Sequence, residues 1–138
     1  MQQLTQEILR LCREYGECRV EAERMEEARR VKNALESVCS MARQRLDISD
    51  PALLLALLDA CEVTRDEGML QEVLDVVGRN LDRLAVSAES VKLLAYCYYY
   101  VEEEECVERA GRMLEELRKM GRGEEELADA ETILEELT

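Results

Sequence analysis

Six cysteines, thirty-two carboxylates and a cluster of tyrosines are the residues of this chain with chemical potential. The thiols are Cys12, Cys18, Cys39, Cys61, Cys97 and Cys106. No two of them stand at CxxC spacing, and most fall at apolar positions of helical patterns, where a free cysteine behaves as a small buried hydrophobe. They read as structural thiols of a reducing, cytoplasmic compartment and not as a metal site. Histidine, tryptophan and phenylalanine are absent. Without histidine there is no Ser-His or Cys-His dyad and no HExxH zinc site, so no cysteine has a base to activate it.

The densest chemistry lies in "LLAYCYYYVEEEECVERA", residues 93–110, which holds four of the five tyrosines, two cysteines and Glu102–Glu105. One reading is an aromatic and acidic recognition patch. The reading favoured by the spacing is a helix junction. Tyr96, Tyr98, Tyr99 and Tyr100 would then pack with their rings inside and hydroxyls at the rim, and the glutamates would sit against the positive end of the next helix. There is no GxxxxGK[ST] loop, no GxGxxG and no EF-hand loop. The glycines of "GRGEEE" precede three glutamates that would repel a phosphate. Carboxylates elsewhere lie on polar faces. No catalytic, cofactor-binding or metal-ligating residue is assigned, no cofactor is expected, and the chain is not read as an enzyme.

The elements that would carry these residues are helices. One proline, six glycines and an abundance of Glu, Arg, Leu, Ala and Met make an all-α protein. Leu4, Ile8, Leu11 and Tyr15 recur at helical spacing, with Gly16 as a stop. A stripe from Cys18 through Ala22, Met25, Ala28, Val31, Leu35, Val38 and Ala42 to Leu46 predicts a second, long helix over about 18–46. Asp50 caps and Pro51 opens the third, "PALLLALLDACEV", whose leucines fall on more than one face. Met69, Leu70, Val73, Leu74, Val77, Leu81 and Leu84 form the next stripe. Ser87 caps the tyrosine helix. Cys106 to Met120 form another, which Gly121 and Gly123 end, and a last helix occupies about 124–137.

Charge is uneven along the chain. The net charge is -14. Residues 1–46 hold nine Lys/Arg against eight Asp/Glu, and residues 47–138 hold nine against twenty-four. Such a surface repels phosphate backbones, so nucleic acid is not an expected partner. No apolar run is long enough to span a bilayer, so no membrane is expected either. The N-terminus lacks the basic start and apolar block of a signal peptide.

Shifting residues 54–83 forward by 37 overlays helix on helix. Met69 meets Cys106, Leu70 meets Val107, Val73 meets Ala110, and Val76 and Val77 meet Met113 and Leu114. Leu57 meets Leu94 and Ala60 meets Cys97. A period in the thirties whose unit is a helical hairpin marks an α-solenoid. Over residues 51–120 the chain resembles tetratricopeptide, HEAT and armadillo repeat proteins. Leu94, Ala95 and Tyr98 look like the first-helix pattern of a tetratricopeptide repeat. Gly111 stands where that family has a large aromatic and no proline closes the unit, so no binding residue is carried over.

The resemblance implies one domain of six or seven helices stacked as antiparallel hairpins, about 1–46, 51–85 and 87–120, with 124–137 as a capping helix. A compact helical bundle is the alternative. Two functional readings follow. One is a non-enzymatic helical scaffold, a designed or recombined assembly with no selected activity and no required partner. The other is a natural intracellular adaptor that binds a peptide or protein along a helical-repeat surface. The oligomeric state is left open.

Overall fold

The computed structural model describes residues 2–121 and 123–138. Among the described residues it is all-α, with seven helices and no strand. In chain order they are α1 (Gln2–Cys18), α2 (Met25–Arg43), α3 (Pro51–Thr64), α4 (Glu67–Arg79), α5 (Ala88–Val101), α6 (Glu104–Met120) and α7 (Glu124–Leu137). Two short 3-10 turns, Ala22–Arg24 and Leu81–Arg83, precede α2 and follow α4. The contacts group the chain into two compact units, Met1–Asp47 with Ala52–Val73, and Ile48–Pro51 with Leu74–Thr138.

In the first unit α1 packs on α2. Ile8, Leu11, Cys12 and Cys18 of α1 are buried, as are Ala28, Val31, Leu35, Cys39 and Ala42 of α2. The expected helix over 18–46 is corrected. α1 continues through Gly16 to Cys18, and α2 begins only at Met25. Gly16 sits in ordinary helical backbone with nothing near the place of its missing Cβ. A glycine there costs about 1 kcal/mol relative to alanine, which the buried Cys18 beyond it offsets. The break comes at Glu21, which is extended (φ -110°, ψ 117°). Arg24 then fastens the start of α2, donating to Glu27 at 2.9 and 3.0 Å and pairing with Glu21 at 3.6 Å. Ala22 and Met25, expected in the stripe, are exposed.

The end of α2 is tied within the same unit. The Arg43 guanidinium donates two bonds to the Glu72 carboxylate, at 2.8 and 2.6 Å, and pairs with Asp66 at 3.5 Å. Arg43 holds the Glu72 carboxyl below the usual range. At the other end Arg19 donates to the Val63 carbonyl at 3.3 Å.

In the second unit α5 packs on both α6 and α7, and α6 packs on α7. Ser87 caps α5, its hydroxyl accepting from the Ser90 N–H at 3.1 Å. Lys92 reaches Asp129 at 2.9 Å, and Arg118 reaches Glu131 at 2.6 Å.

Some element bounds recur at an offset of 37 residues. α3 spans Pro51–Thr64 and α5 spans Ala88–Val101, the same bounds moved by 37, and the starts of α4 and α6 at Glu67 and Glu104 differ by the same step. Among the described residues two non-glycine residues have positive φ, Arg65 (58°) and Glu102 (51°), again 37 apart. Each follows the last residue of its helix, where a left-handed residue closes the helix end. Burial matches too. Leu57 and Leu94, Ala60 and Cys97, Met69 and Cys106, and Val73 and Ala110 are all buried.

A side chain in left-handed backbone is strained, and glycine relieves it. Arg65→Gly and Glu102→Gly should each raise stability, on the order of 0.5–1 kcal/mol. Gly121→Ala, at φ 66°, should lower it by about 1 kcal/mol. Urea unfolding of the three variants checks the signs.

Candidate functional site

The tyrosine and glutamate stretch is a helix junction. α5 ends at Val101, Glu102 turns the chain, and Glu104 and Glu105 occupy the first turn of α6. The Glu102 N–H closes α5 on the Tyr98 carbonyl at 2.7 Å. The tyrosines depart from expectation. Tyr96, Tyr98 and Tyr100 are half-buried and Tyr99 is exposed, so the rings line the rim and are not enclosed. Leu93, Leu94, Ala95 and Cys97 already fill the inward face of α5. Tyr99 meets Tyr100 edge to face, with centroids 5.2 Å apart. Glu102–Glu105 are exposed.

All six thiols are free and buried. Burial, the main cause, pushes Cys12, Cys61 and Cys97 up to about 12 and Cys39 and Cys106 up to about 11. Nearby carboxylates add to the shift: Asp59 at Cys12, Asp66 at Cys39 and Cys61, and Glu103 at Cys97 and Cys106. Burial also raises Cys18. A nucleophilic cysteine needs the opposite, a lowered thiol with access to solvent. Among the described residues no group of three or more Cys, Asp or Glu side chains is arranged to hold a metal.

Concave surface is found along the α1–α2 hairpin, which sequence reasoning treated only as a core stripe and its polar backs. One depression, of about 510 Å³, is lined by Gln3, Leu4, Glu7, Val38, Met41, Gln44 and Arg45. A second, of about 400 Å³, is lined by Arg10, Leu11, Glu14, Glu27, Arg30, Val31 and Ala34. The pairing of early α1 with late α2, and late α1 with early α2, shows the two helices antiparallel. Both depressions have apolar floors and charged rims. Arg10 bridges Glu7 and Glu14 along α1. Met41 stands out of the first depression at 61% exposure. The sequence signal was present but weak: Ala34 and Met41 lie seven residues apart on a face that the buried stripe of α2 does not use.

Comparison with protein-family models, with curated proteins and with solved structures finds no match. The geometry alone therefore carries the functional reading. Among the described residues, no helix is long and apolar enough to cross a membrane.

The thiols give stability a pH dependence. The folded chain retains thiol protons that the unfolded chain releases above about pH 8.5, so their contribution is whole below that value and falls as pH rises toward 11–12. Urea midpoints should decline steadily between about pH 8 and pH 10. The double variant Cys61→Ala, Cys97→Ala should flatten that decline, whatever its effect near neutrality. A native chain whose thiols react with a disulfide reagent as fast as free cysteine would contradict the burial.

Proposed function

We propose that the chain is a non-enzymatic helical scaffold that folds without cofactor or partner, built around a repeated helical hairpin. One observation carries this reading. Among the described residues the buried side chains are Leu, Ile, Val, Ala, Met and Cys, joined only by Ser90, whose hydroxyl accepts from that of Ser87 at 3.0 Å. Ionised groups lie mostly at the surface, apart from the Arg109 Nε, which is buried without a hydrogen-bond partner. Some bridge neighbouring turns of one helix, as Glu7, Arg10 and Glu14 do, and others tie helix to helix, as Arg43 and Arg118 do. An interior of this kind supplies cohesion and leaves no polar groups converging on a substrate.

The 37-residue match between α3–α4 and α5–α6 supports a solenoid-like construction, and the packing of α7 over α5 and α6 supports its part as a cap. The outer turn of α7 begins Glu124, Glu125, Glu126, the polar exterior that a terminal helix needs. A designed or recombined origin is consistent with such uniform helices.

One observation favours the second reading, an adaptor for a peptide or protein. Leu9, Val20, Met25 and Met41 are large apolar residues exposed within α1, α2 and their connection. They offer contact surface that the interior does not use.

Thermal unfolding by circular dichroism, run plain, with reductant and with a strong zinc chelator, separates the readings. The scaffold should melt cooperatively at high temperature, unchanged by either additive. A collapse with the chelator would make metal the organising element. A low, broad melt would mark a chain that needs its partner to fold.

A further inference from the structure

We propose that the outer face of α2 is a docking surface for a second copy of this chain, the two α2 helices lying antiparallel about a two-fold axis. The inference goes beyond the scaffold reading and stands or falls separately from it.

The first support is a second seam on α2. Glu27, Arg30, Ala34, Ser37, Met41 and Gln44 are spaced alternately by three and four residues, and all are exposed. That spacing places them on one face of the helix, apart from the stripe that meets α1. Ala34 and Ser37 at its middle are small enough for two helix backbones to approach closely.

The second support is fit. An antiparallel pair centred near residue 36 brings position 31 of one copy level with position 41 of the other. The exposed Met41 of each copy then stands over the other copy's depression, floored by Leu11, Val31 and Ala34. A flexible thioether side chain suits an irregular apolar hollow.

The third support is charge. The ionised residues lining the two depressions are Glu7, Glu14 and Glu27 against Arg10, Arg30 and Arg45, a balance of three and three on a chain of net charge -14. Two copies so acidic repel each other over most orientations, and contact is least opposed where local charge cancels. The same antiparallel register brings Arg45, in the turn just beyond α2, toward the other copy's Glu27, whose carboxylate also accepts from Arg24. A basic partner would instead be drawn to the exposed Glu102–Glu105 and to the first turn of α7.

The face is modest. Residues 27–45 span about 28 Å, and two helices side by side are about 20 Å wide. Stable complexes cover about 800 Å² per partner, so this dimer belongs at the weak end, dissociating in the micromolar range.

Sedimentation velocity from about 1 to about 500 µM tests this by mass action. We expect a monomer of 15.9 kDa that converts to a species of twice that mass as concentration rises. Ala34→Glu, at an exposed position, should leave the circular dichroism melt unchanged and weaken dimerisation at least tenfold. Arg45→Glu should weaken it. Mild oxidation should crosslink Ser37→Cys near the axis and leave Ser40→Cys, off the seam, largely uncrosslinked. A monomer at every concentration overturns the proposal and leaves the groove to an unrelated helix. A dimer indifferent to Ala34→Glu, or crosslinked equally at both positions, overturns it in favour of another face.

Discussion

Two helices that are apolar over most of their circumference set the terms for the rest of the chain. In α3 the buried positions are Leu53, Leu54, Ala56, Leu57, Leu58, Ala60 and Cys61, and in α5 they are Ala88, Ser90, Val91, Leu93, Leu94, Ala95 and Cys97. At 100° per residue each set covers about 200° of the helix surface. Such a helix cannot rest on one neighbour. It must be covered on several sides, and every other helix can satisfy that demand with a single apolar stripe. α6 and α7 do so for α5. The remaining faces are then free to be polar, which is how a chain with thirty-two acidic residues can still enclose an apolar interior.

The matching bounds of α3–α4 and α5–α6 fit the same constraint. In α5–α6 a broadly apolar helix, a left-handed residue and a one-stripe helix return the chain on itself. Arg65 and Glu102 occupy that left-handed position in the two copies, although glycine is the residue usually found there. The strain is tolerated because burial on both sides of the turn is worth more. Leu57 or Leu94 alone, fully buried, contributes about 2 kcal/mol, against about 1 kcal/mol for the left-handed residue.

Much of this was legible in the sequence. Pro51 and Ser87 marked the starts of α3 and α5. Gly121 and Gly123 marked the turn before α7. The failures have physical causes. Gly16 reads as a stop, but glycine in helical backbone costs little when packing continues beyond it. Cys18, Ala22 and Met25 extend the α2 stripe on paper, yet the chain must turn between α1 and α2, and the turn consumes residues 19–24. The tyrosines were expected inside. Aliphatic residues of α5 had already claimed the interior, and rings with a polar tip are content at the rim. The α1–α2 groove was the least legible feature. It arises from two faces brought together by packing, and neither face alone departs from an ordinary exposed surface.

α3 and α5, the two broadly apolar helices, should then be equivalent centres of cohesion. Amide hydrogen exchange, resolved residue by residue in the native protein, tests that claim most directly. Residues held by the global core exchange only through complete unfolding, whereas peripheral ones open locally. The account predicts that the slowest amides lie within 54–61 and 91–97, with protection equal between the two helices and matching the free energy of unfolding. Slowest exchange in α1, α2 or α7, or one of the two central helices opening well before the other, would contradict it.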